Sequence, residues 1–117
     1  EPTVFDNISD DFTIMKQEPF GPLVPILTFK NFDEVVERAN KNELGLASYI
    51  YTNDMKKANR ASELMESGTV AVNTPVVALA EAPFGGIKQT GYGREGGSMA
   101  IKDYLNIKYT HLGIHYD

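Results

Sequence analysis

Residues 26–73 read ILTFKNFDEVVERANKNELGLASYIYTNDMKKANRASELMESGTVAVN, and the changes of rhythm within them decide the fold class. Ile26-Leu27-Thr28-Phe29 is apolar and partly β-branched, the composition of a strand. Phe32, Val35, Val36 and Ala39 then fall at i, i+3, i+4 and i+7, one face of a helix. Asn31 is placed to cap that helix, and Asp33 and Glu34 suit the positive end of its dipole. Gly45 lies in the exit turn. The pattern then repeats. Ala47-Ser48-Tyr49-Ile50-Tyr51 reads as a strand, Asn53 or Asp54 as the next cap, and Met55, Ala58, Ser62 and Met65 as the buried stripe of a second helix. Gly68 stands where a helix C′ glycine is expected, and Thr69-Val70-Ala71-Val72-Asn73 is the third strand. A β-α-β-α-β run requires parallel strands joined by right-handed crossovers. The predicted class is α/β, built on a parallel βαβαβ unit.

Outward from this unit the regularity fades. On the N-terminal side Pro19, Gly21, Pro22 and Pro25 break the chain, and Phe12-Thr13-Ile14-Met15 alternates briefly as a short strand. On the C-terminal side residues 74–97 hold an apolar loop, Pro75-Val76-Val77-Ala78-Leu79-Ala80, and then a cluster of glycines. A segment this long without regular structure is functional or a covering segment. A short helix is expected over Ser98 to Asp103. From Leu105 to His111 the chain alternates at period 2, with Leu105, Ile107 and Tyr109 on one face and Asn106, Lys108 and Thr110 on the other, and reads as a terminal strand.

The composition narrows the function. The chain is 117 residues long, the size of one small domain, with a net charge of −5. An acidic balance argues against nucleic acid, which demands a basic surface. No apolar run reaches the roughly 18 residues of a membrane span, and Glu1-Pro2-Thr3 does not begin a signal peptide, so a cytoplasmic setting is expected. The chain opens without Met and is expected to start inside a longer protein. Cys is absent, and the two His, His111 and His115, sit at the end of the chain. That removes a cysteine nucleophile, a thiolate metal site and a histidine-built triad or zinc centre from the body of the domain. No metal is expected.

A few segments carry chemistry. Gly91-Tyr92-Gly93-Arg94-Glu95-Gly96 matches G-x-G-x-x-G. It lacks the preceding strand, the long following helix and the later acid of a dinucleotide fingerprint, so close backbone packing is its favoured reading. Lys88 is followed by Gln89 and lacks the upstream glycine of a P-loop. Glu18-Pro19-Phe20-Gly21-Pro22 sets a carboxylate and an aromatic two residues apart in a proline-stiffened turn. A carboxylate held there can accept two hydrogen bonds from a vicinal diol such as ribose; the plainer reading is a surface acid beside a core Phe. Phe84, before Gly85 and Gly86, is either a ligand-side aromatic or a core anchor. Arg94-Glu95 reads as a structural clamp, Lys56-Lys57 as a solvated helix face, and His111 and His115 as partner or solvent contacts.

These segments together resemble the NAD(P)-dependent aldehyde dehydrogenase family. Glu18-Pro19-Phe20-Gly21-Pro22 is similar to its E-x-F-G-P box. The likeness continues through Phe32-Asp33-Glu34, Ala39-Asn40, Leu44-Gly45-Leu46-Ala47 and Gly68 to Asn73. Pro83-Phe84-Gly85-Gly86-Ile87-Lys88-Gln89-Thr90-Gly91, Gly93-Arg94-Glu95-Gly96 and Tyr104 to Lys108 complete the ordered set. The stretches Ala82 to Gly91 and Tyr104 to Tyr109 look most like the succinate-semialdehyde dehydrogenases.

The resemblance covers the C-terminal portion of such an enzyme. It implies that residues 1–104 are the C-terminal part of the catalytic domain and residues 105–117 an oligomerisation strand and tail. It also implies that the catalytic Cys, the general-base Glu and the oxyanion Asn lie outside this chain, which alone would be inactive. In the family a Cys thiolate attacks the aldehyde, hydride passes to the nicotinamide, and water releases the carboxylic acid from the thioester. Carried over, Glu18 would accept hydrogen bonds from the nicotinamide ribose and Phe20 would pack beside ribose and ring, with NAD or NADP as cofactor. Phe84 would line the aldehyde tunnel, and residues 74–82 would form its mouth. Ala78 stands where the succinate-semialdehyde group carries a Ser that helps hold the distal carboxylate. Leu105 to Ile114 would contact the neighbouring protomer of a homo-oligomer, a dimer or tetramer. The alternative is a stand-alone, non-catalytic α/β ligand-binding or regulatory module, which should be closed and monomeric, whereas a piece of an enzyme should leave an apolar face uncovered.

Overall fold

The computed structural model describes residues 1–114; the expectation for His115 and the end of the proposed 105–117 tail lie outside them. In chain order the elements are β1 (Thr3–Phe5), α1 (Thr13–Lys16), β2 (Leu23–Pro25), α2 (Phe32–Asn40), β3 (Leu44–Gly45), β4 (Ala47–Ile50), α3 (Met55–Leu64), β5 (Thr69–Val72) and β6 (Ile87–Lys88), followed by a 3-10 turn over Ala100–Tyr104. β1 and β2 pair in parallel, with Thr3 opposite Leu23. β4 and β5 pair in parallel, with Ala47 opposite Thr69 and Ile50 opposite Val72, and α3 is the crossover between them. β3 and β6 form a small antiparallel pair. Parallel pairs alternating with helices make this an α/β fold.

Local chemistry explains both longer helices. Asn31 caps α2 by accepting the Glu34 N–H (3.0 Å), and the Glu34 carboxylate reaches back to the Lys30 N–H (2.8 Å). Of the two cap candidates for α3, Asp54 does the work: its Oδ1 accepts from the Lys56 and Lys57 N–H groups at 2.9 and 3.2 Å. The helices meet where the Arg60 guanidinium lies 5.0 Å over the Phe32 ring and bonds the Asp33 carboxylate at 2.8 Å. The small core beneath them is Val36, Ala58, Ala61 and Ala71.

Several sequence expectations are corrected. The expected strand at Ile26–Phe29 forms three residues earlier, at Leu23–Pro25, because a ladder exists only where a partner runs alongside, and β1 ends at Phe5. Ile26 adds one further bond, to the Phe5 carbonyl, before the chain leaves for α2. β2 therefore pairs with β1 and not with β4, so the two parallel pairs belong to separate sheets. Phe12–Met15 is not a strand: Thr13–Lys16 is one helical turn, closed by the Gln17 N–H on the Thr13 carbonyl. Four residues are too few to tell a period of 2 from one of 3.6. On α3 the buried positions are Ala58 and Ala61 with Met65 half-buried, while Met55 and Ser62 are exposed. The helix is rotated relative to the expected stripe. The short helix expected at 98–103 is the 3-10 turn at Ala100–Tyr104.

Gly68 is not a helix cap. α3 ends four residues earlier, with Met65 as its C-cap in extended conformation. Gly68 is instead a contact point: a Cβ there would overlap the Gly85 carbonyl oxygen. The expected strand over Leu105–His111 has no partner strand among the described residues, and residues 105–114 are exposed throughout. The radius of gyration is 20.2 Å, against about 13 Å for a compact domain of this length.

Candidate functional site

The turn at residues 18–22 leaves α1 and enters β2. It is drawn tight by two short closures: the Gly21 N–H donates to the Pro19 carbonyl (2.9 Å), and the Leu23 N–H to the Gly21 carbonyl (2.8 Å). Pro19 and Pro22 restrict φ around it. The result presents its two notable side chains outward. The Glu18 carboxylate is exposed and makes no hydrogen bond or ion pair among the described residues. The Phe20 ring is 96% exposed. Glu18 lines the edge of a cleft of about 490 Å³ that also includes Met15, Leu44, Leu46 and Thr90.

Phe84 lies in a neighbouring, more open cleft of about 650 Å³, with Tyr92, Arg94 and Tyr104 around it. Leu46 and Thr90 belong to both clefts. Thr90 is held there by accepting the Gly45 N–H on its hydroxyl (2.8 Å). The structure thus sets Glu18 and Phe84 along two adjoining hollows. Phe20 and Ala78 instead project into solvent.

The glycine-rich segment is a packed structure. The Phe84 and Glu95 backbones exchange two hydrogen bonds of 2.7 Å. The Arg94 guanidinium donates to the carbonyls of Gly86 (2.8 Å) and Gly93 (2.7 Å), and its backbone N–H donates to Asp103 (2.7 Å). Arg94 is therefore a clamp on backbone, as its sequence setting suggested, but not a partner of Glu95. Gly96 (φ 68°) and Gly97 (φ 60°) adopt left-handed backbone and pack against residues 79–83, and the Gly97 N–H donates to the Ala80 carbonyl. Gly96, the last glycine of the G-x-G-x-x-G match, and the following Gly97 thus form a docking platform for residues 79–83.

Sequence reasoning passed over three polar residues that organise this region. Lys88 (φ 56°) donates to the Asn40 and Asn42 carbonyls and pairs with Glu66, tying β6 to the ends of α2 and α3. The Asn40 amide brackets the end of α3, donating to the Leu64 carbonyl and accepting the Glu66 N–H. Asn73 (φ 55°) does the same to Thr52. Only Asn73 carried a usable signal: an Asn just after a β-branched run is the side chain that most readily takes left-handed backbone.

Away from the clefts, Arg38 makes two hydrogen bonds to the Asp10 carboxylate, 3.0 and 2.9 Å, and a third to the Thr28 carbonyl. The hydrogen bonds from Arg38 hold the Asp10 carboxyl below its ordinary range and raise the Arg38 guanidinium. His111 meets the Tyr109 hydroxyl at 3.2 Å. Among the described residues no cluster of His, Asp and Glu is arranged to hold a metal ion, and no helix is long and apolar enough to cross a membrane.

Comparison with known proteins locates this arrangement. The model of the aldehyde dehydrogenase family matches residues 1–110. The 3-sulfolactaldehyde dehydrogenase of Pseudomonas putida is 50% identical over 113 residues, 97% of this chain and 23% of its own length. Among solved structures, succinate-semialdehyde dehydrogenase from Burkholderia pseudomallei superposes with a TM-score of 0.89 at 44% identity, over 94% of this chain and 23% of that one. An aldehyde dehydrogenase from Bacillus cereus, solved as its NAD+ complex, gives 0.89 at 44% identity, over 92% of this chain and 22% of that one. The chain spans under a quarter of the length of each of these proteins.

Proposed function

Because the chain belongs to the aldehyde dehydrogenase family, we propose that it forms the C-terminal part of an NAD(P)+-dependent aldehyde dehydrogenase, supplying one edge of the cofactor site and one wall of the aldehyde path. The observation that carries this reading is the turn at residues 18–22. It offers a carboxylate with no partner among the described residues and a solvent-exposed aromatic ring two residues apart on backbone held by two hydrogen bonds. An acceptor-only group beside an apolar plate suits a ribose diol and the flat ring attached to it.

In this proposal the cofactor, NAD or NADP, supplies the hydride acceptor, and the catalytic Cys and general base come from outside these 117 residues. Glu18 accepts hydrogen bonds from the ribose, Phe20 limits the ring's position, Phe84 lines the aldehyde path, and residues 74–82, with Ala78 among them, form its rim. The substrate class we favour is a short aldehyde with a terminal anion, succinate semialdehyde being the type. The Burkholderia and Pseudomonas relatives named above support it, since both of their substrates join an aldehyde to an acidic group. Ala78 offers that anion no hydroxyl, and Arg94 is spent on the Gly86 and Gly93 carbonyls. The anion's partners therefore also lie outside this chain. Residues 1–104 serve the catalytic domain, and residues 105–117 serve contact between protomers in a cytoplasmic homo-oligomer.

The uncovered surface weighs against the stand-alone module. The accessible area is 9754 Å², against ~6,300 Å² for a compact chain of this mass. The decisive experiment is NAD(P)H formation from succinate semialdehyde by the full-length protein, compared with its Glu18→Gln variant. The variant should slow hydride transfer, read from pre-steady-state rates with deuterated aldehyde, more than it weakens cofactor binding. One ribose contact is a small share of a dinucleotide's affinity, but a misplacement of about 1 Å can cost on the order of 100-fold in rate. An unchanged hydride step removes Glu18 from the site.

A further inference from the structure

We infer that Asn73 is a specificity-determining positioning residue, which sets the path of the 74–82 rim by replacing a backbone rung of the β4–β5 ladder with its own side chain. This rests on the proposed role of that loop and goes beyond it. In the parallel register that pairs Ile50 with Val72, the next rung would carry two bonds: Asn73 N–H to the Ile50 carbonyl, and Thr52 N–H to the Asn73 carbonyl. The first is present at 2.8 Å. The second is not made by backbone. Asn73 adopts φ 55° and takes its own carbonyl off the ladder line, and the Thr52 N–H donates to Asn73 Oδ1 at 2.9 Å. Asn73 Nδ2 then donates to the Thr52 carbonyl, also at 2.9 Å. The side-chain amide closes the sheet while the main chain turns away from it.

The grip is anchored on both sides. The Thr52 hydroxyl accepts the Asp54 N–H (3.1 Å), and Asp54 is the cap of α3, so the rim's point of departure is tied to a rigid helix start. The far end of the loop is tied separately, through the Gly97 N–H on the Ala80 carbonyl and the Phe84–Glu95 pair. Between these ties residues 75, 76 and 78–81 are exposed, and the Val76 N–H is held by its neighbour Thr74. Residues 79–83 pack on Gly96 and Gly97, whereas residues 74–78 carry only a local hydrogen bond among the described residues, so the direction of that first stretch depends on how it is launched. Asn is well suited to this point because its short amide tolerates left-handed backbone and also offers a donor and an acceptor.

The test uses the full-length enzyme with Asn73→Gly, which keeps the left-handed backbone and removes the grip, and Asn73→Asp, which keeps the acceptor and loses the donor. Two readouts are taken: amide hydrogen exchange over residues 52 and 74–82, and kcat/KM for succinate semialdehyde against acetaldehyde. The expected result for Asn73→Gly is faster exchange at Thr52 and through the rim. Its preference for succinate semialdehyde over acetaldehyde should fall on the order of 5- to 10-fold, through KM, since the rim meets the longer substrate. Asn73→Asp should fall between Asn73→Gly and the parent. A general weakening of the fold would lower both substrates alike, and that outcome overturns the inference, as does unchanged exchange over 74–82. If Asn73→Gly does not fold, Asn73→Asp decides by the same two readouts. If the parent enzyme oxidises neither aldehyde, the proposed function falls, and the exchange result alone supports or overturns the control of the rim by Asn73.

Discussion

At the scale of single residues, the structure is held by groups whose value lies in where the chain brings them. Gly68 is the clearest. It enters β5 with no room for a side chain against the Gly85 carbonyl, and Gly86 also lies close. Gly68→Ala must therefore move one backbone segment away from another. We expect a loss of about 2–3 kcal/mol, at the upper end of overpacking penalties, read as a lower urea midpoint of the full-length protein with an unchanged slope. An unchanged midpoint would mean that the two segments separate without cost. Lys88 shows the same logic in polar form. Its ammonium collects carbonyls from the end of α2 and the Glu66 carboxylate, so its charge is used to close the fold and is not offered to a phosphate.

At the scale of elements, the helices owe their starts to local chemistry and their placement to a few cross-links. Asp54 accepts two of the free N–H groups at the start of α3. Asp54→Ala should destabilise by about 1 kcal/mol, the usual worth of an N-cap, measurable by thermal unfolding. Asp54→Asn should recover most of it, because the amide oxygen still accepts. The segment before α1 is tied to α2 through Asp10 and Arg38. Arg38's hydrogen bonds lower the Asp10 carboxyl in the folded state. A depressed carboxyl contributes stability above its unfolded value of about 3.9, and this is lost as pH falls through the lower folded value. Stability should thus decline on acidification below about pH 4, and Asp10→Asn should remove that part of the decline. Asp10 is exposed and Arg38 only half-buried, so the effect is modest and screened by salt. A carboxyl resonance of Asp10 titrating at its ordinary position would contradict the tether.

At the scale of the whole molecule, the dominant fact is uncovered apolar surface. The core consists of Val36 and three alanines, while Val4, Phe20, Tyr51, Tyr104, Ile107 and Leu112 are all more than half exposed. Surface of this kind is characteristic of faces that meet other protein. After the 3-10 turn, residues 105–114 have no partner strand among the described residues, and Leu105, Ile107 and Tyr109 are all exposed. An unpaired alternating segment supplies both free backbone groups and an apolar face for a neighbouring sheet edge. Deleting residues 105–117 from the full-length protein should reduce its assembly to smaller species, measured as mass in solution. Retention of the parent mass and activity would place the subunit contact elsewhere.

The parts legible in the sequence were those governed by neighbours along the chain. Asn31 and the pair Asn53-Asp54 announced two helix starts, apolar spacing at 3.6 announced the inward face of α2, and the ordered boxes from Glu18 to Lys108 announced the family. Each depends on residues within a turn or two of one another, or on pattern alone. What required the folded chain was everything set by distant pairing. The partner of β2 is β1 and not β4 because the two segments happen to run side by side, which no local period encodes. Gly68 resembled a helix cap until Gly85 was brought against it. Asn73 read as the end of a strand, and its amide acquires meaning only because Thr52, 21 residues earlier, completes the rung. The separation of Phe20 and Ala78 from the clefts lined by Glu18 and Phe84 is of the same kind. Side-chain exposure is a property of the space around a residue, and that space is filled by segments far away in sequence.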